Sequence, residues 1–112
     1  EFVVYPQGEM RKGLSPNGGY GLIWKNKYGY VAVASFGITS DGMNEKGLAF
    51  GALWMPTSVY QEVPKGAESK ALALQFIGDW MMGNFATVAE IKEALKNIYV
   101  WGNHVELFNG TP

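Results

Sequence analysis

The sequence predicts an α+β fold in which mainly antiparallel strands are followed by a two-helix layer. The first observation is a pair of nearly continuous apolar runs, at 28–36 and 48–55, on either side of a segment with a tight turn. Such runs are typical of strands that are covered on both faces. The second observation is the helical spacing of apolar residues between 68 and 97. Strands followed by helices in this order indicate the α+β class.

Short strands and turns alternate in the first part of the chain. Residues 2–5 are β-prone and end at Pro6, and the polar, glycine-rich segment 9–21 is predicted to be a loop. Two further strands are predicted at 22–24 and 28–36, with a hydrophilic turn between them. The second of these two strands is apolar enough to lie in the interior of a sheet.

A hairpin is predicted next by the segment 41–48, whose sequence is DGMNEKGL, and its second strand extends to Met55. Gly47 can adopt the positive φ that a tight turn requires. Asn44 and Glu45 are an adjacent polar pair, but residues of this kind are favoured in hairpin turns for backbone reasons. We therefore predict a structural role for both, not a catalytic one.

The first helix is predicted after a loop at 57–67, which contains Pro64 and Gly66. It extends from 68 to 82, with Gly83 as a stop signal. The prediction depends on four apolar residues at helical spacing, Leu72, Phe76, Ile77 and Trp80.

A second helix is predicted to begin at Thr87, which forms a capping box with Glu90. This helix ends near Asn97, and residues 98–101 return to a strand. Its apolar stripe is formed by Val88, Ile91 and Leu95.

Composition limits the functions that the chain can have. Its 112 residues fit one domain, and nine basic against ten acidic residues give a net charge of -1 without a basic cluster. This balance argues against a nucleic-acid partner. No apolar run approaches the ~20 residues that span a bilayer, so no membrane partner is predicted. With no Cys and a single His, neither a metal site nor a cofactor is predicted.

The segment 41–48 resembles the hairpin of the choloylglycine hydrolase family, also called linear amide C–N hydrolases, which includes bile salt hydrolases and penicillin V acylases. Three more segments resemble this family in the same order: YPQG at 5–8, WKNKYG at 24–29 and NFATV at 84–88. The resemblance implies the four-layer αββα sandwich of N-terminal-nucleophile (Ntn) hydrolases. The chain would supply strands at about 1–56 and helices at about 68–97.

The resemblance also implies a mechanism that this chain cannot complete. In the family an N-terminal Cys attacks the amide carbonyl, its own α-amine acts as the base, and a downstream Arg and Asp hold nucleophile and substrate. The chain has no Cys, and Glu1 offers no activated hydroxyl or thiol. We expect residues 1–112 to be a single internal fragment, inactive alone, that lacks the nucleophile segment and a C-terminal portion. A degenerate, non-catalytic homologue is the alternative.

One active-site position of the family can be carried over to this chain. The backbone N–H of the oxyanion hole falls on Trp54, at the end of the strand that leaves the hairpin. Any residue except proline supplies this donor, so the role does not depend on the side chain. The Trp54 side chain, Phe36, Ile38 and Met55 are the candidates for the substrate-binding acyl pocket. Ordinary core packing is the alternative explanation for all four side chains.

Trp54 and the short connection 36–40 resemble the Gram-negative-type penicillin V acylases, some of which also cleave N-acyl homoserine lactones. The predicted function is therefore cysteine-type hydrolysis of a linear amide in a small N-acyl substrate. Hydrolysis of conjugated bile salts is the alternative within the enzyme class, and a binding module without chemistry is the alternative outside it. The resemblance further implies a homo-oligomer, a tetramer, and a periplasmic or secreted location, with a cytoplasmic one still open.

Overall fold

The computed structural model describes residues 1–35, 38–52 and 60–102 of the chain. Within these ranges it contains eight strands and two α-helices. The strands are β1 (Phe2–Tyr5), β2 (Met10–Leu14), β3 (Tyr20–Lys25), β4 (Tyr30–Ser35), β5 (Ile38–Asn44), β6 (Ala49–Gly51), β7 (Ala71–Ala73) and β8 (Tyr99–Trp101). The helices are α1 (Ile77–Asn84) and α2 (Val88–Ala94), with 3₁₀ turns at Glu68–Lys70, Leu74–Phe76 and Leu95–Asn97.

The largest sheet has four antiparallel strands in the order β1-β4-β5-β6. One face of this sheet packs against α1, and Tyr30 and Ala32 of β4 are buried on that face. At Gly78 the helix comes so close to the sheet that an added Cβ would overlap the ring of Phe50. Glycine is therefore the residue that this approach of α1 to β6 allows.

Two smaller sheets form a second unit of β structure. Strands β2 and β3 pair antiparallel, and β7 and β8 pair parallel. The two pairs are in contact, because a Cβ on Gly21 would overlap the carbonyl oxygen of Ala71. The indole Nε1 of Trp101 donates to the carbonyl oxygen of Leu14 at 2.9 Å, which joins β8 to β2.

The hydrophobic core connects the helices with the sheets. Trp80 of α1 is 5% exposed and packs edge-on against Phe85, with the ring centroids 4.9 Å apart. The buried members of the core are Trp24, Tyr30, Ala32, Leu48, Leu72, Trp80, Met82, Ile91 and Ile98. None of the described helices has the length and apolar composition needed to cross a membrane.

The predicted α+β class is confirmed, with mostly antiparallel strands ahead of two helices. The predicted strand at 2–5, the hairpin turn and the return to a strand at 98–101 are also confirmed. Gly47 has a φ of 87°, in the region that the turn was predicted to require. The second strand of the hairpin is described only as far as Ala52.

The predicted loop at 9–21 is wrong, because Met10–Leu14 forms strand β2. The polar residues of Met10–Leu14 are explained by the pairing of β2 with β3, because alternate side chains of β2 face solvent. Gly13 is in this strand because an added Cβ would lie only 3.1 Å from the carbonyl oxygen of Leu22. The glycine thus marks a close backbone approach and not a loop.

The predicted helix at 68–82 is also wrong in its first half, since α1 begins at Ile77 and Ala71–Ala73 is strand β7. All three residues of β7 are 0% exposed, and their backbone pairs with β8. Long-range pairing therefore overrides the helical preference of alanine. The helix continues past Gly83 to Asn84, and an added Cβ at Gly83 would overlap the Asn26 side chain.

Two predictions of burial are wrong as well. The runs 28–36 and 48–55, which include β4 and β6, were predicted to be covered on both faces, but Val31 of β4 is 45% exposed on the face opposite α1, and Ala49 of β6 is exposed as well. Among the described residues, α1 covers one face of the four-stranded sheet. In the predicted apolar stripe of α2, Ile91 is buried, whereas Val88 is 63% exposed and Leu95 36% exposed.

Candidate functional site

Asn44 lies at the start of the hairpin turn and is 4% exposed. Its Oδ1 accepts from the backbone N–H groups of Lys46 and Leu48, at 3.0 and 3.1 Å. Its Nδ2 donates to the carbonyl oxygens of Met82 and Phe85, at 3.0 and 2.6 Å. These four bonds use the two acceptor and two donor positions of the amide. They support the predicted structural role of Asn44.

The end of α1 is held by turns from the sheet. The carbonyl oxygen of Gly83 accepts from the backbone N–H groups of Lys27 and Tyr28, at 2.7 and 3.2 Å. Glu45 joins the hairpin turn to the neighbouring turn between β3 and β4, because its Oε1 accepts from the N–H of Gly29 at 2.9 Å. The last carbonyls of a helix lack partners within the helix, and here the turns supply them.

The four segments that resemble one family are neighbours in the structure. The hairpin contacts the α1–α2 junction through Asn44, as described above. The backbone N–H of Gly8 donates to the carbonyl oxygen of Asn26 at 2.7 Å, which joins the first segment to the second. The segments thus form one structural junction around the end of α1. The contacts between these segments are hydrogen bonds that hold the turns to the end of α1.

Ile38, one of the predicted substrate-binding residues, lies at one end of the four-stranded sheet. Ile38 opens β5, pairs with Ser35 and is half-buried. At the same end, the N–H of Ala52, just beyond β6, donates to the carbonyl oxygen of Ser40 at 2.8 Å. The structure therefore places Ile38 and Ala52 at one sheet end. The other three predicted site residues, Phe36, Trp54 and Met55, lie outside the described residues.

A β-bulge interrupts β5 at this end of the sheet. Val33 pairs with Asp41, but the next residue of β4, Ala34, pairs with Thr39. Ser40 is therefore the extra residue, and its Oγ donates to the carbonyl oxygen of Val33 at 3.3 Å. Bulges bend a strand and redirect its side chains, and they are common beside active sites.

A buried carboxylate, Asp79, lies between α1 and the sheet and is 1% exposed. It accepts from the hydroxyl of Tyr30 at 2.6 Å and from the hydroxyl of Thr39 at 3.1 Å. The guanidinium Nη2 of Arg11 lies 3.7 Å from the same carboxylate oxygen. An unpaired buried charge is costly, and these three groups compensate it.

Arg11 connects this carboxylate with the sheet edge. Its Nη1 donates to the hydroxyl oxygen of Tyr30 at 3.3 Å, and its guanidinium lies 4.5 Å from the ring centroid of Tyr5. The rings of Tyr5 and Tyr30 stack at 4.7 Å. Burial, together with the neighbouring Asp79 carboxylate, raises the pKa of Tyr30 far above its ordinary value. Tyr30 therefore stays protonated and remains a donor to Asp79.

Sequence analysis did not identify the network of Asp79, Tyr30, Thr39 and Arg11. The available signal was an aspartate between the apolar residues of a helix, next to Trp80. Its partners come from three different strands, which no local pattern connects. In the described part of the chain, no group of three His, Cys, Asp or Glu side chains is placed to hold a metal ion.

Comparison with known families gives one match over almost the whole chain. Residues 11–112 match the model of the linear amide C–N hydrolases, choloylglycine hydrolase family. Penicillin V acylase of Pectobacterium atrosepticum is 35% identical over 99 residues, which are 83% of this chain and 26% of that relative. A bile salt hydrolase/transferase of Clostridium perfringens is 41% identical over 59 residues, or 52% of this chain and 18% of that relative.

Solved structures lead to the same group of proteins. Penicillin V acylase from Agrobacterium tumefaciens superposes with a TM-score of 0.74 at 33% identity, over 88% of this chain and 31% of that one. A variant of conjugated bile acid hydrolase from Clostridium perfringens gives 0.62 at 27% identity, over 89% of this chain and 30% of that one. The chain thus spans less than a third of the length of these relatives.

Proposed function

The chain belongs to the choloylglycine hydrolase family of linear amide C–N hydrolases, and we propose that the full-length protein is a cysteine-type hydrolase of N-acyl amides. We assign it to the penicillin V acylase or N-acyl homoserine lactone acylase type. The observation that carries this choice is the fold similarity to a penicillin V acylase, which has a higher TM-score than that to the bile acid hydrolase. The curated acylase also matches over more of the chain.

In the proposed reaction, an N-terminal cysteine outside this chain attacks the carbonyl carbon of the substrate amide. The negative charge that develops on the carbonyl oxygen is stabilised by the backbone N–H of Trp54. The α-amine of the cysteine takes the proton of the attacking thiol and, as ammonium, gives it to the leaving amine when the C–N bond breaks. Water then hydrolyses the thioester to the free acid and restores the thiol. The position of Ala52, two residues earlier and bonded to Ser40, supports this assignment.

For substrate recognition, we propose that Ile38 lies against the acyl group, together with Phe36, Met55 and the side chain of Trp54. Ile38 is apolar, half-buried and located at the same sheet end as Ala52. Apolar and aromatic side chains bury an acyl chain or a phenyl ring at low entropic cost. An aromatic or acyl side group is therefore the part of the substrate that this pocket selects.

We further propose that this chain is a fragment of a single larger Ntn domain and is inactive alone. The outer face of the four-stranded sheet supports this, since Phe2 is 79%, Val4 72% and Met43 56% exposed. Exposed apolar side chains that cluster on one sheet face usually pack against another element. In the αββα sandwich, the second sheet would cover this face.

Two alternatives to the proposed function are tested by the same experiment. Conjugated bile salt hydrolysis is favoured by the 41% identity to the bile salt hydrolase/transferase, although over a shorter segment. A non-catalytic homologue or binding module is the alternative of another class. It would keep the junction around Asn44 without any chemistry at the sheet end.

The full-length protein, purified with its natural N-terminus, tests these proposals. We expect it to release the side-chain acid from penicillin V or an N-acyl homoserine lactone, and to lose this activity when the N-terminal cysteine is replaced by alanine. Cleavage of glycocholate alone would favour the bile salt alternative. A mature N-terminus without cysteine, or no turnover of any of the three substrates, would reject the enzymatic function.

Size-exclusion chromatography tests the proposed homotetramer, and cell fractionation tests the proposed periplasmic or secreted location.

A further inference from the structure

We propose that Asp79 is a positioning residue: through Thr39 it holds the bulge at Ser40, and through this bulge it sets the place of the strand end at Ala52. This inference rests on the proposed function, because that strand end leads to the proposed oxyanion donor. Asp79 itself is too deeply buried to touch a substrate. Its effect on catalysis is therefore indirect.

The first step is that the carboxylate has a fixed position. Asp79 is on α1, and Tyr30 of β4 and Arg11 of β2 hold the same oxygen, Oδ1, that Thr39 contacts. A well-packed apolar side chain can often replace a buried ion pair without loss of stability. A buried carboxylate with two directional hydroxyl donors and a nearby guanidinium is thus better explained by the geometry that it imposes.

The second step is the location of Thr39 next to the bulge. Thr39 pairs with Ala34, directly after the point where the register between β4 and β5 shifts. A shift of pairing by one residue turns every following side chain to the opposite face of the sheet. The bond from Thr39 to Asp79 requires that Thr39 faces α1, so it excludes the alternative register.

The third step connects the bulge with β6. Ser40 contacts strands on both sides, because its Oγ donates to the carbonyl oxygen of Val33 and its own carbonyl oxygen accepts from the N–H of Ala52. If the bulge moves, the acceptor for Ala52 moves with it. Ile38, two residues before Ser40, changes its orientation as well.

The substitution Thr39→Val in the full-length protein tests this chain of contacts, since it removes the hydroxyl and keeps the shape. We expect kcat to fall about 10- to 100-fold with KM nearly unchanged, because misplacement of a transition-state donor has effects of this size. Thr39→Ser keeps the hydroxyl, so this variant should retain most of the wild-type kcat. The comparison variant is Tyr30→Phe, which removes one of the groups that hold Asp79 but keeps the direct contact of Thr39 with the carboxylate, so its loss of kcat should be clearly smaller.

Hydrogen exchange provides a readout that does not depend on activity. In Thr39→Val the amide of Ala52 should exchange about 10-fold faster, whereas the amide of Leu48 in the hairpin turn should keep its rate. In Tyr30→Phe the exchange rate of the Ala52 amide should rise less than in Thr39→Val. Equal losses of kcat in Thr39→Val and Tyr30→Phe, or an unchanged Ala52 rate in Thr39→Val, would overturn the inference. If the wild-type protein hydrolyses no N-acyl amide, the proposed function fails, and Ala52 exchange still decides the positioning role.

Discussion

Gly78 of α1 faces the ring of Phe50 of β6 at a separation that leaves no room for a Cβ. The substitution Gly78→Ala should therefore lower the free energy of unfolding by a net amount of about 1–2 kcal/mol, because overpacking outweighs the better helix propensity of alanine. Urea unfolding of the full-length protein measures this loss. In a Phe50→Ala background the ring is absent, and Gly78→Ala should then be neutral or stabilising. Additive effects of the two substitutions would contradict the close approach.

Asn44 should be the most sensitive polar residue of the hairpin. Asn44→Ala removes four hydrogen bonds and leaves the carbonyl oxygens of Met82 and Phe85 without this donor. The expected loss is about 2–4 kcal/mol in the free energy of unfolding. The neighbouring Glu45 is exposed, and Glu45→Gln keeps an acceptor for Gly29, so this control should change stability by less than about 0.5 kcal/mol. Similar losses in both variants would contradict the assigned role of Asn44.

The capping box of α2 predicts a smaller effect. Thr87 Oγ1 accepts from the N–H of Glu90 at 3.2 Å, and Glu90 Oε1 accepts from the N–H of Thr87 at 3.0 Å. Thr87→Ala should cost about 1 kcal/mol of stability, and Thr87→Ser should cost much less, because it keeps the hydroxyl. Chemical unfolding of the two variants measures this difference in the free energy of unfolding. An equal loss in the two variants would indicate that the methyl group, not the cap, is responsible.

The same cap predicts a dependence on pH. Hydrogen bonds from the backbone of Ala86 and Thr87 lower the pKa of Glu90 below its ordinary value of 4.5. A carboxylate with a lowered pKa in the folded state stabilises fully above its ordinary pKa, and this contribution is lost as the pH falls through the folded value. Protection of the Ala86 amide against hydrogen exchange should therefore decrease below about pH 4.5.

Glu90→Gln is the control for this titration, because glutamine offers the same acceptor oxygen without a charge. In this variant, the protection of Ala86 should vary less with acid than in the wild type. A decrease of the same size in both proteins would show that another group titrates in this range.

Elements determined by neighbouring residues could be predicted from the sequence. The turn at Asn44–Gly47 and the capping box of Thr87 and Glu90 depend on residues within a few positions of each other, and both are present as predicted. Strand β7 depends instead on β8, a distant partner in the sequence, and its alanines alone favour a helix. Local patterns carry no information about such a partner.

The candidate site was predicted less completely than the fold. The structure places Ile38 at the same sheet end as Ala52, and the site roles of Ile38, Trp54, Phe36 and Met55 all remain predictions. The Asp79 network was missed, because its members come from four elements that lie far apart in the sequence. Only their burial together in three dimensions makes them notable.

The bond between Trp101 and Leu14 has a consequence for how the chain acquires its structure. These residues are 87 positions apart, so the contact closes a loop that includes most of the chain. Closing so long a loop is entropically unfavourable until other contacts have formed. During synthesis, the β2–β3 hairpin leaves the ribosome long before Trp101 does, so β8 is not yet present to contact it. Formation of this bond therefore depends on other contacts that first bring β2 and β8 together.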